Sequence, residues 1–147
     1  MNEAVHEAGH ATAVLALGGT FDLIRSGRGV HQVEGVAGLD HEGRCVVALA
    51  GYFAELLADG HGAPPSPVWI LFGLPHGRDL DIVRSCVGTH QVDLNTAVSA
   101  SWRLVREHLP GIAQLATELQ RTGVITQARA RGLLRSPPTR ADGGSPS

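Results

Sequence analysis

The run His6-Glu7-Ala8-Gly9-His10 puts two imidazoles and a carboxylate within one helical turn. A helix rotates by about 100° per residue, so positions four apart stack on one face. His6 and His10 can then each aim a ring nitrogen at one metal ion. Glu7, about a quarter-turn away, can reach a water on that ion without being a ligand. His-Glu-x-x-His on a helix is the pattern of zinc hydrolases, with neutral imidazoles as ligands and the carboxylate as general base. The chemistry it implies is hydrolysis by an activated water, with Glu7 taking the proton and passing it to the leaving group.

The setting of the motif is helical. Asn2 can cap a helix over residues 2 to 17, and Glu3 falls in the first turn, where the dipole favours an anion. Val14 and Leu17 continue the two-histidine face inward, and Gly18-Gly19 ends the helix.

A catalytic zinc takes three protein ligands and keeps one position open. The segment Gly77-Arg78-Asp79-Leu80-Asp81 reads as a helix start. Wound as a helix, Ile82, Cys86, Val83, Val87 and Leu80 form one apolar arc that includes Asp79. Asp81 falls on the other side, beside Ser85 and Arg84. A carboxylate among apolar neighbours needs a cation or strong donors. Asp79 is therefore the candidate third ligand, its alternative role being the helix cap, and Asp81 a solvated surface group.

Glu55 lies in a strongly apolar helix over residues 42 to 58, on the side of Ala48 and Gly51 and opposite Val46, Leu49, Phe53 and Leu57. Small residues admit a neighbouring helix. Glu55 then either orients a histidine from behind the metal or sits at the polar edge of a packed helix. His76, three residues before Asp79, and Tyr52 are further candidates for a hydrogen bond to a developing oxyanion. The remaining histidines, His31, His41, His61, His90 and His108, share no ligand spacing and are expected to be mostly exposed.

The order His6-Glu7-Ala8-Gly9-His10-Ala11, then Leu49-Ala50-Gly51-Tyr52-Phe53-Ala54-Glu55, then Gly77-Arg78-Asp79-Leu80 resembles the peptidase domain of the FtsH-type ATP-dependent zinc proteases. The likeness covers roughly residues 3 to 134, more weakly at Leu115-Ala116-Thr117-Glu118-Leu119 and Gly123-Val124-Ile125-Thr126. It implies a mainly α, helical zincin-like peptidase domain that binds Zn2+ through His6, His10 and Asp79, with Glu7 as catalytic base. Glu55 matches a family position to which no role is carried over. The implied substrate is a peptide or an unfolded protein, with a homo-oligomer or a partner unfoldase as the implied assembly. The sequence holds no Walker-type phosphate loop and no apolar run of 18 or more residues, so the expectation is a stand-alone peptidase without a membrane span. The alternative is a repurposed zinc metalloenzyme of the same scaffold acting on a small molecule in a biosynthetic pathway.

At 147 residues the chain suits one domain, here residues 1–135, followed by a disordered tail over 136–147 that is rich in Pro, Gly and Ser. The net charge of −2 without a basic stripe argues against nucleic acid as a partner. No signal-peptide pattern is visible, and Cys45 and Cys86 form no C-x-x-C pair and read as buried free thiols, so a cytoplasmic location is expected. Between the motifs, residues 21 to 26 and 29 to 36 read as a hairpin around a Ser26-Gly27 turn. Residues 68 to 72 read as a strand or buried loop. A helix over 94 to 108 carries Val98, Trp102 and Val105 at core spacing. Pro110 is expected to open another helix ending near Gly123, and Thr126 to cap a last one reaching Leu134.

Overall fold

The computed structural model describes residues 2–135, so the expected tail over 136–147 lies outside the described residues. Six helices and three strands follow in the order α1 (Glu3–Ala16), β1 (Leu23–Gly27), β2 (Val30–Glu34), α2 (His41–Ala58), α3 (Pro67–Gly73), α4 (Arg78–Gly88), α5 (Leu94–Thr122), β3 (Val124–Thr126) and α6 (Gln127–Arg135). The architecture is mainly α with one small antiparallel sheet, as the sequence predicts.

Helix α1 begins where the Asn2 side chain accepts from the Val5 amide and ends in a pair of bonds, Gly19 N–H to Val14 O at 2.9 Å and Gly18 N–H to Leu15 O at 3.1 Å. These satisfy carbonyls that the last turn leaves open. Val14 is fully buried, but Leu17 falls on the helix cap and is 41% exposed, so the inward face stops one turn earlier than its spacing suggests. Helix α2 is capped by Asp40, whose Oδ1 accepts from Gly43 N–H at 2.7 Å.

Helices α1, α2 and α5 pack against one another and form the centre of the core. The α1–α2 seam is built from small residues. A Cβ on Gly9 would stand 2.7 Å from Ala54 Cβ and 2.8 Å from the Ala50 carbonyl oxygen, which no side chain tolerates. On the other flank of α2, Phe53 meets Trp102 edge-on at 5.2 Å, and Ser101 Oγ donates to the Val46 carbonyl at 2.8 Å. Cys45 and Cys86 are free and buried.

Four elements depart from the sequence expectation. Residues 68 to 72 form helix α3, because Ser66 accepts from Trp69 N–H and Pro67 occupies the first turn. Its Val68 and Phe72 are 68% and 78% exposed. Pro110 lies inside one continuous helix α5. The ring forfeits one bond to the carbonyl four residues back, yet the buried face of Val98, Trp102, Val105, Ile112, Leu115 and Leu119 runs through it and holds both halves on the core. The hairpin turn falls at Arg28-Gly29 (φ 52° and 79°), past the expected Ser26-Gly27. Residues 124 to 126 form β3, which pairs with β1 on the side opposite β2 and completes a sheet of order β2-β1-β3. Thr126 nonetheless caps α6, accepting from Arg129 N–H at 3.3 Å.

Candidate metal centre

The α1 helix brings the two histidines to one point. His6 Nε2 and His10 Nε2 lie 3.0 Å apart, and Asp79 Oδ2 lies 3.0 Å from the first and 3.1 Å from the second. The three atoms come from positions separated by as many as 73 residues along the chain.

Both rings are oriented from behind. His6 Nδ1 donates to Glu55 Oε2 at 3.0 Å, and His10 Nδ1 donates to the Val47 carbonyl at 2.6 Å. A carbonyl only accepts, so His10 carries its proton on Nδ1 and turns a bare lone pair outward from Nε2. Glu55 sets His6 the same way. Two lone pairs and a carboxylate oxygen then face one another at about hydrogen-bond distance, an arrangement that repels unless a proton or a cation lies among them.

The donor set fits a divalent ion. Bonds of about 2.0–2.1 Å in tetrahedral geometry place ligand atoms about 3.3 Å apart, and the three atoms here stand at 3.0–3.1 Å. Two imidazole nitrogens and a carboxylate are a donor set that catalytic zinc takes. Space is reserved on the α2 side as well. A Cβ on Gly51 would lie 2.6 Å from His10 Nε2 and 2.7 Å from His6 Nε2. Only glycine at this position leaves the meeting point open.

Glu7 stands apart from these three. Its Oε2 is 4.0 Å from His6 Nε2, its carboxylate makes no hydrogen bond among the described residues, and the residue is 6% exposed. His6, Glu7 and His10 nonetheless offer atoms within 4.8 Å of one another. The distances divide the carboxylates: Asp79 touches both nitrogens, while Glu7 stands one step back.

The electrostatics follow from burial and these contacts. Burial favours neutral His6, but its hydrogen bonds to Asp79 and Glu55 outweigh that and push its pKa up to about 10 without a metal. Burial would raise Asp79, but His10 and His6 hold it well below the usual carboxylate range. Burial raises the Glu7 carboxyl, against the opposing pull of His10 and His6. Burial, then the carboxylates of Asp79 and Glu55, push the Tyr52 phenol up to about 12.

The sequence expectations sort cleanly on this geometry. His6, His10 and Asp79 converge, and Glu7 joins them. Asp79 occupies the second position of α4 and caps nothing, since the cap residue is Gly77 and makes no side-chain bond. Asp81 is exposed. Of the two readings of Glu55, the structure has the one in which it holds a histidine. Tyr52 packs edge-on against the His6 ring at 4.5 Å and lines the cleft. His76 is exposed, contributes nothing to the cleft wall and is not brought to the cluster.

A cleft of about 430 Å³ opens over the cluster. Its floor is Glu7, His10 and Asp79. One wall is β2 and the segment after it, through Gln32, Val33 and Val36, and the other is α2 and α4, through Val47 and Ile82. Three lining residues with titratable side chains escape sequence reasoning: His31, Arg44 and Arg78. None has a motif spacing that could have singled it out, because what unites them is the meeting of β2, α2 and α4. No protein-family model matches the chain, and no curated protein matches it closely enough to count as a relative. The functional reading therefore stands on the geometry.

Proposed function

We propose that this chain is a zinc-dependent metallopeptidase, akin to the peptidase domain of the FtsH-type proteases, in which His6, His10 and Asp79 hold the ion. The observation that carries the reading is the convergence of those three donors at the floor of an open cleft, with a second, uncommitted carboxylate, Glu7, beside them. A purely structural zinc site closes with four protein ligands and has no use for a base.

When bound, zinc supplies Lewis acidity that makes a water easier to deprotonate and a carbonyl easier to attack. Glu7 takes the proton from the attacking water and delivers it to the departing amine nitrogen. Its burial raises its proton affinity, which suits a group that must both accept and release a proton. Glu55 and the Val47 carbonyl keep both rings in the tautomer whose Nε2 is free to ligate. The outer edge of β2 has no strand partner among the described residues, and Gln32 and Val33 on it face the cleft. An extended peptide can pair with that edge by main-chain hydrogen bonds.

A second reading, a metalloenzyme acting on a small molecule, draws support from the cleft volume of about 430 Å³, which also suits such a ligand. Incubating the zinc-loaded protein with casein and with a random-peptide pool separates the two. Cleavage that chelator removes and zinc restores is expected. Glu7→Gln should keep its zinc and lose on the order of 10²–10⁴ in rate. A zinc-loaded protein that leaves both pools intact would overturn the peptidase reading.

A further inference from the structure

We propose that the cleft selects carboxylate-bearing peptides, with the carboxylate received by Arg44 and Arg78. The inference rests on the peptidase reading and adds the substrate class.

The charged groups that line the cleft divide by position. The carboxylates, Glu7 and Asp79, belong to the metal centre; the guanidinium groups, Arg44 and Arg78, belong to its helical wall. Neither guanidinium group has a hydrogen bond or ion pair among the described residues, and both arginines are exposed. Arg78 is the first residue of α4, at the helix end where the backbone dipole disfavours a cation. Helix stability therefore gives no reason for an arginine there, whereas an anion arriving in the cleft does.

The two helices fix the spacing. Gly51 of α2 lies against the histidine nitrogens that touch Asp79, and Arg44 lies near the Cys86 thiol, two turns beyond Asp79 along α4. The helices thus run antiparallel past the cleft, with Arg78 beside the metal centre and Arg44 farther along. Seven residues of helix separate Arg44 from Gly51, about 10 Å of rise. An extended peptide advances about 3.3 Å per residue, so a peptide laid along these helices would meet Arg44 about three residues from the bond to be cut. Between the two positions the walls are apolar, with Val36, Leu39, Val47 and Ile82. A peptide with apolar residues at the centre and a carboxylate toward either arginine matches this lining. The carboxylate is either an acidic side chain or the C-terminus of the peptide.

The test uses the full chain carrying Glu7→Gln and loaded with zinc, so that binding is read without turnover. The probes are Ala/Val peptides carrying an uncharged dansyl label and containing one Glu or one Gln, each with a free or an amidated C-terminus, titrated at low salt because exposed charges are screened. Carboxylate-bearing peptides are expected to bind about tenfold tighter than the amidated Gln peptide. Preference for Glu in amidated peptides assigns the carboxylate to a side chain; preference for the free terminus alone assigns it to the chain end. Either supports the proposal. The advantage should vanish in the exposed double variant Arg44→Glu/Arg78→Glu and persist in part in Arg44→Lys/Arg78→Lys. Equal binding of all four peptides, binding of none, or a preference untouched by the double reversal overturns it. The same peptides given to the zinc-loaded chain with Glu7 intact keep the two readings apart. Cleavage without carboxylate preference sinks this proposal alone, and carboxylate-selective binding without cleavage sinks the peptidase reading alone.

Discussion

The candidate metal centre is assembled from two unlike regions. On the α1–α2 seam, His6, His10 and Glu55 are all under 10% exposed, each ring is held by a second hydrogen bond, and both helices start from side-chain caps. The contribution of α4 arrives differently. The Asp79 side chain is 23% exposed against 9% for the histidines, and α4 starts at Gly77 without a side-chain cap. The seam is a preset half-site; Asp79 closes it from a helix end with fewer local constraints. An ion bound by all three would tie α4 to the seam, so metal binding would also be a folding contribution at that end of the molecule.

The sharpest way to break this contrast is at the seam. Gly51→Ala puts a methyl group 2.6 Å from His10 Nε2 with helix backbone behind it. Zinc content should fall to background, and denaturant unfolding should show a loss of about 1–3 kcal/mol. Full zinc content in this variant would mean that the histidines are not preset. Next in size is Asp79→Asn, which should weaken zinc binding by more than the ~10–100-fold typical of a supporting group, while Asp81→Asn changes it little. Equal losses in competition titrations against a fluorescent chelator would remove the distinction drawn for α4. Glu55→Gln should cost about tenfold in the same titration with the fold retained by circular dichroism. An unchanged affinity would demote Glu55 to a packing role.

The smallest effect is a pH dependence that changes sign with metal. Without zinc, the pKa of His6 is raised from 6.5 to about 10. A raised basic group stabilises the fold fully below its unfolded value, and that contribution is lost as pH rises through the folded value. The thermal midpoint in chelator should therefore decline between pH 7 and 10. With zinc the same proton must leave before the ion binds, so the stabilisation due to zinc should grow from pH 6 to 8. Parallel pH profiles with and without zinc would contradict the assignment of His6 as a ligand.

Much of the seam was legible because its signals are local. Asn2, the five-residue motif and Gly18-Gly19 each act within a turn or two. The face shared by Ala48, Gly51 and Glu55 follows from helical rotation alone. Asp79 could be chosen over Asp81 because one lies on the apolar arc of α4 and the other does not. Where local signals compete, sequence pattern and structure part. Ser66-Pro67 is a helix start, but the short apolar run after it has no period long enough to show a helix. Pro110 is a good first residue of a helix, and tertiary packing of α5 overrode it. The role of Val47 carried no signal, since a backbone carbonyl is the same at every position. Arg44 and Arg78 were invisible as a pair because only the crossing of α2 and α4 brings them to one cleft.

Strand β3 carries a liability of its own. Residues 124 to 126 cover one edge of β1, supported by Ser26 N–H bonding the Gly123 carbonyl at 3.0 Å and Phe21 N–H bonding Gln127 Oε1 at 2.9 Å. A protease nick after Thr122 would strip that cover and leave β1 with a raw hydrogen-bonding edge at Leu23–Arg25. Such an edge recruits other strands, so clipped molecules should self-associate while the helical bundle beneath them is still folded.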